Sequence, residues 1–126
     1  MRSRLELPDE ILAHFPVQAK ACITREAREW TPAPRPKGVR KRADRACFLN
    51  SARLACARED LTYCEGFALT DWGWVHHAWC VTPTGVVVDS TWPTIGMRYI
   101  GFTVEKVEIA ELVLAAHVWG GVAEPH

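Results

Sequence analysis

Three prolines at alternate positions, in Thr31-Pro32-Ala33-Pro34-Arg35-Pro36-Lys37-Gly38, divide this chain of 126 residues. Each proline fixes its own φ, lacks a backbone donor and keeps the residue before it out of the helical region. No helix can cross the segment, and an extended strap over residues 31–38 is expected. The patterns on its two sides differ. Helical spacing lies before the strap and directly after it, and strand-like alternation begins near Leu61.

Before the strap, Pro8-Asp9-Glu10 opens a first helical piece with a proline and two acids, as a helix N-terminus favours. Residues 17–30 form a second, with Val17, Ala21, Ile23, Ala27 and Trp30 as its apolar stripe. After the strap, residues 43–58 predict a helix rich in Ala, Leu and Arg. The period then changes: residues 61–69 read as a strand, Asp71 to Trp74 as a turn, residues 75–82 as a strand, Pro83-Thr84-Gly85 as a tight turn and residues 86–89 as the returning arm. Residues 99–104 predict another strand and 105–117 a closing helix. Helices followed by antiparallel strands predict an α+β domain, with a central helix packed on an antiparallel sheet.

A chain of this length is expected to form a single domain over residues 1–126, with its core at about 43–104. Hydrophobic residues make up 48% and charged residues 24%, which is ordinary globular composition. No apolar run is long enough to span a bilayer. The start Met-Arg-Ser-Arg-Leu-Glu-Leu-Pro is basic but has no apolar stretch behind it, so a cytoplasmic location is expected. The net charge of zero hides an asymmetry: residues 1–58 carry a net +7 and residues 59–126 a net −7. The basic half can mark a nucleic-acid surface, or the two halves can pack with complementary fields. The second is the favoured reading.

Five cysteines, Cys22, Cys47, Cys56, Cys64 and Cys80, are an odd number, so reduced thiols rather than a disulfide framework are expected. Acyl transfer by a thiol needs a nucleophile whose proton an imidazole can take, and a third group that orients the imidazole. Cys47 lies early in a predicted helix behind a cationic segment, which favours a thiolate. His77 lies in a predicted strand, and Asp89 closes the next arm of the hairpin. A turn near Thr84-Gly85 brings His77 and Asp89 to neighbouring positions. Read singly, each is an ordinary residue: a packed thiol, a strand histidine, a turn aspartate.

In order, the blocks Cys47-Phe48-Leu49-Asn50-Ser51-Ala52, Tyr63-Cys64-Glu65-Gly66-Phe67-Ala68, His76-His77-Ala78-Trp79-Cys80-Val81, Gly85-Val86-Val87-Val88-Asp89-Ser90-Thr91-Trp92 and Tyr99-Ile100-Gly101-Phe102 resemble the transglutaminase-like branch of the papain-type cysteine hydrolase superfamily. They are most similar to its small versions from phages and actinobacteria. The resemblance covers about residues 43–104. It implies a Cys-His-Asp triad: Cys47 the nucleophile, His77 the general base, Asp89 the orienting acid. Two features depart from the family. Asp89-Ser90-Thr91 stands where Asp-Pro-Thr is common, and the stretch before Cys47, Arg40-Lys41-Arg42-Ala43, holds no glutamine to donate to an oxyanion. Gln18, the only glutamine, is too far away in sequence to assign. The backbone N–H of Cys47 can supply one donor.

Four further residues are candidates for the substrate cleft. Asn50 shares the helix face of Cys47; it either lines the cleft or acts as a local cap. Glu65 either makes a contact behind the triad or pairs with Arg53 or Arg98. Trp79 shares the strand face of His77, and Trp92 lies beside Asp89; with Trp72 and Trp74 they can wall a cleft or simply pack. Cys56, Cys64 and Cys80 are expected in the core, and Gly66 where its strand passes close to the helix. No cofactor is expected. His76, His77 and Cys80 are zinc-type ligands, but His76 and Cys80 face away from His77 along a strand, so no metal site is expected.

The sequence thus predicts a cysteine-dependent acyl-transfer enzyme acting on a protein, peptide or small amide or ester, by hydrolysis or by transglutaminase-type transfer through an acyl-thioester. The alternatives are an inactive binding module of the same fold that grips a host protein, or a nucleic-acid accessory protein using the basic segment 35–45. For a phage-encoded chain the location is the host cytoplasm, and no membrane partner is expected.

Overall fold

The computed structural model describes residues 6–105, the side chains of residues 19–23 excepted. The closing helix expected over residues 105–117 and the thiol of Cys22 fall outside the described residues. Among the described residues three helices, α1 (Asp9–Leu12), α2 (Val17–Glu26) and α3 (Cys47–Ala57), accompany five strands, β1 (Arg28–Trp30), β2 (Thr62–Thr70), β3 (Gly73–Val81), β4 (Val87–Val88) and β5 (Arg98–Val104). The class is α+β. Among the described residues no helix is long and apolar enough to cross a membrane.

The strands form one antiparallel sheet in the order β1-β5-β2-β3-β4. The β2–β3 hairpin turns at Asp71-Trp72, with Thr70 opposite Gly73. Gly73 takes φ 110°, a region that strains any residue with a Cβ. The expected turn at Asp71 to Trp74 is therefore tighter, because Gly73 and Trp74 already pair as strand. The second helix also ends early. Residues 28–30 are strand, since Arg28, Glu29 and Trp30 pair with Gly101, Ile100 and Tyr99. Three residues are too few to show a period of their own; the partner strand decides their conformation.

The two edges of the sheet are laced together. The Thr31 N–H donates to the Gly85 carbonyl at 3.0 Å, and the Val87 N–H donates to the Thr31 carbonyl at 2.9 Å. The sheet therefore curls, and its concave side is filled by a cluster drawn from all five strands: Trp30, Cys64, Ala68, Trp79, Val81, Val87 and Tyr99. Helix α3 packs on the convex side, where Ala52 and Ala55 meet Tyr63, Ala78, Cys80 and Val88. The Cys80 thiol donates to the Ser51 carbonyl there at 3.2 Å. Farther along that side, Ile11 and Ala27 cover Phe67 and Ile100.

Two expectations are corrected. Cys56 is exposed, because the buried stripe of α3 runs through Ser51, Ala52 and Ala55 and the next residue is about 100° farther round. Gly66 lies against a strand rather than the helix. It faces Gly101 on β5, and a Cβ at either glycine would run into the opposing backbone.

Candidate active site

Helix α3 begins at Cys47, four residues later than the helical pattern suggests. The α-helical bonding starts with the Asn50 N–H donating to the Ala46 carbonyl at 2.8 Å, so the Cys47 N–H has no partner within the helix. The approach is strained: Arg45 has φ 63°, the left-handed region, at a cost of about 1 kcal/mol or more for a residue with a Cβ.

His77 lies on β3 with its side chain on the concave face, alongside Trp79. The register pairs Cys80 with Val88. Continued by one residue, it sets Asp89 opposite Trp79, so Asp89 reaches His77 on the diagonal rather than from directly across. The contact is short: His77 Nε2 lies 2.8 Å from Asp89 Oδ2, and the two residues are 1% and 2% exposed.

Asp89 accepts from four donors. Oδ2 takes His77 Nε2 and the Tyr99 hydroxyl, the latter at 2.8 Å. Oδ1 takes the N–H groups of Thr91 at 3.0 Å and Trp92 at 3.2 Å, as an aspartate starting a turn does. Burial works against the charge of Asp89, but His77, the Thr91 N–H and the Tyr99 hydroxyl outweigh it and hold the carboxyl below its usual range. Burial likewise opposes a charged His77, yet Asp89 and then the Cys47 thiol outweigh it and raise the imidazole. Tyr99, buried beside the Asp89 charge, is pushed far up and stays a donor. Its oxygen also accepts from the Gly96 N–H at 2.9 Å.

The helix is on the convex side and the imidazole on the concave side. They meet because β4 ends at Val88, so among the described residues no strand pairs with that edge of β3 beside His77. The segment after β4 is tied to the entry of α3 there. Asn50 Nδ2 donates to the Thr91 hydroxyl at 3.0 Å and to the Ala43 carbonyl at 2.9 Å, and the Arg42 N–H donates to the Ser90 carbonyl at 2.7 Å. Cys47 is half-buried at this junction, and its thiol is near enough to the imidazole to help raise it. With Nε2 held by Asp89, Nδ1 is the nitrogen left to the thiol.

Trp92 stacks on the His77 ring at 3.7 Å between centroids and 15° between planes. It also lines a cleft of about 380 Å³ with Pro34, Arg35, Asp89 and Pro93. Trp79 is fully buried in the concave core, and Asn50, 6% exposed, is engaged in the internal bonds given above. Glu65 is fully buried on the convex face and accepts from the Tyr63 hydroxyl at 2.7 Å. Arg98, one of the two arginines considered for it, instead forms a two-point contact with Glu29 at 2.7 and 2.9 Å. Trp72 stands 96% exposed at the hairpin tip, and Trp74 packs with Phe67 under the Arg98 guanidinium. His76 lies between Phe48 and Phe67 on the convex face.

Among the described residues no three His, Cys, Asp or Glu converge as metal ligands would. Sequence reasoning missed Tyr99 as a partner of Asp89. The available signal was a tyrosine on a concave-face position of β5, but β2 and β3 lie between β5 and β4, so its reach to Asp89 depends on the curl. No protein-family model, no curated protein and no solved structure matches the chain.

Proposed function

We propose that the chain is a cysteine-dependent acyl-transfer enzyme of the transglutaminase-like type. The observation that carries this reading is the buried Asp89–His77 pair at 2.8 Å, with Cys47, the first residue of α3, near enough to the same ring to act on it. A nucleophilic helix end packed outside an antiparallel sheet agrees with it.

In this scheme the Cys47 sulfur attacks the carbonyl carbon of an amide or ester while its proton passes to His77. The oxyanion gathers at the helix N-terminus, where the Cys47 N–H is available. The tetrahedral adduct collapses, the C–N or C–O bond breaks, and His77 returns the proton to the leaving amine or alcohol. Water or an amine then attacks the thioester carbon, His77 takes the proton of that nucleophile, and the departing Cys47 sulfur recovers it. Asp89 keeps Nε2 directed inward and offsets the imidazolium charge. Trp92, stacked on the ring, screens the His77–Asp89 contact from water, which strengthens it.

The test is site-resolved alkylation by iodoacetamide from pH 4 to 9, on the wild type, His77→Ala and Asp89→Ala. The reading expects Cys47 to react fastest below about pH 7 and to lose that advantage in His77→Ala. Equal rates at Cys47 and exposed Cys56, or no change in His77→Ala, favour the competing reading, a binding module that keeps the fold without turnover. Buried Cys64, its thiol pushed well up by burial and by nearby Cys80, serves as the unreactive control.

A further inference from the structure

We propose that the cleft beside the His77–Asp89 pair, with the basic segment along its border, receives an acidic peptide as substrate. The proposal rests on the acyl-transfer reading and names its substrate class. The cleft, about 380 Å³, lies between the proline strap and the loop that follows Asp89, and its walls include Pro34, Arg35, Trp92, Pro93 and Ile95. That is space for a few peptide side chains.

Arg35 supplies the cation of the cleft. Its Nε donates to the Val39 carbonyl at 3.1 Å, which fixes the half-buried guanidinium. Asp89 also borders the cleft, but its two oxygens already accept from His77, Tyr99, Thr91 and Trp92. Among the described residues no ion pair includes Arg35, Arg40, Arg42 or Arg45; in this run Lys41 alone is paired, to Asp44 at 2.8 Å. A guanidinium held in place without a carboxylate partner is a ready two-point receptor for one.

The other cations are anchored near the reacting atoms. The Arg42 N–H is bonded to the Ser90 carbonyl at 2.7 Å, next to Asp89, and the Ala43 carbonyl is bonded to Asn50 of α3 at 2.9 Å. Arg45 precedes Cys47 by two residues. Arg40, Arg42 and Arg45 are exposed. A chain of carboxylates laid along this border passes from Arg35 to the edge of Cys47. The field that draws in such a chain also concentrates it at the site. Peptide is favoured over nucleic acid because the chemistry at Cys47 acts on acyl carbons, and a peptide supplies them.

The experiment uses an acetylated hexaglutamate peptide with the full chain. Isothermal titration calorimetry measures binding, and the rate of Cys47 alkylation by iodoacetamide measures protection. The proposal expects binding at low salt that fades as salt rises, and protection of at least about fivefold. Arg35→Gln and, as a variant with an exposed side chain and an intact backbone tie, Arg42→Gln each weaken binding severalfold. Hexaserine protecting equally well, or both variants binding like the wild type, overturns it. A thymidine oligonucleotide of equal charge that binds more tightly than the peptide overturns it in favour of a nucleic-acid surface. The two readings fail separately: unchanged alkylation in His77→Ala removes the acyl-transfer reading, whereas normal His77 dependence without peptide binding removes only this proposal.

Discussion

The Tyr99 hydroxyl donates to Asp89 Oδ2 at 2.8 Å, the oxygen that also holds His77, and no other strand residue reaches that carboxylate from β5. Because the donation stabilises the carboxylate anion, it tempers the pull of Asp89 on the imidazole. Tyr99→Phe removes it and leaves the Gly96 N–H without its acceptor. The variant is expected to lose about 1–3 kcal/mol of stability in urea unfolding. The His77 pKa is expected to move up from its wild-type value in an NMR titration, since a less stabilised carboxylate binds the imidazolium more strongly. A downward shift would contradict this account.

The Asp89–His77 pair makes stability depend on pH in two directions. The His77 pKa is raised above 6.5 in the fold, so its contribution is complete below the unfolded value and is lost as pH rises through the folded one. The Asp89 pKa is lowered below 3.8, so its contribution is present above that value and is lost as pH falls through the folded one. Urea midpoints from pH 3 to 9 are expected to peak between these limits, on the acid side of neutrality. Asp89→Asn is expected to flatten the profile on both sides.

Asn50 ties α3 to the segment that carries Asp89, with one bond to Thr91 and one to the Ala43 carbonyl. Asn50→Ala removes both from a buried position and leaves the Ala43 carbonyl and Thr91 hydroxyl short of a donor. The expected cost is about 2–3 kcal/mol, read from the urea midpoint. Since the tie holds Cys47 beside His77, the alkylation rate of Cys47 at pH 6 is expected to fall as well. A variant that loses stability but keeps the wild-type rate would show that the tie has no part in placing the thiol.

Gly66 and Gly101 face each other where β2 and β5 pair, and a Cβ on either meets backbone that cannot yield without parting the strands. Gly66→Ala is expected to cost more than about 3 kcal/mol and to give little folded protein. Gly73→Ala provides the contrast. Its Cβ would meet nothing within 4 Å, and the only cost is the backbone strain at φ 110°, about 1–2 kcal/mol. Circular dichroism melts of the two variants check the order.

The residues along the chain carried enough period and turn chemistry to place α3, the β2–β3 hairpin and β5 to within a few residues. They also placed His77 and Asp89 on the arms of one hairpin and Cys47 in the early part of a helix, which the structure starts at Cys47 itself. These features are local: alternation marks the two faces of a strand, prolines bar a helix, and a glycine after a two-residue turn closes a hairpin. What a face meets is not local. Only the tertiary structure decided that Thr31 laces the sheet edges together, that residues 28–30 become strand, and that Gly66 opposes a second glycine. It also set Asp89 diagonal to His77, laid Trp92 on the imidazole and brought Tyr99 to the carboxylate. Each of these depends on sheet curl and on register between segments far apart in sequence, which periodicity within one segment does not encode.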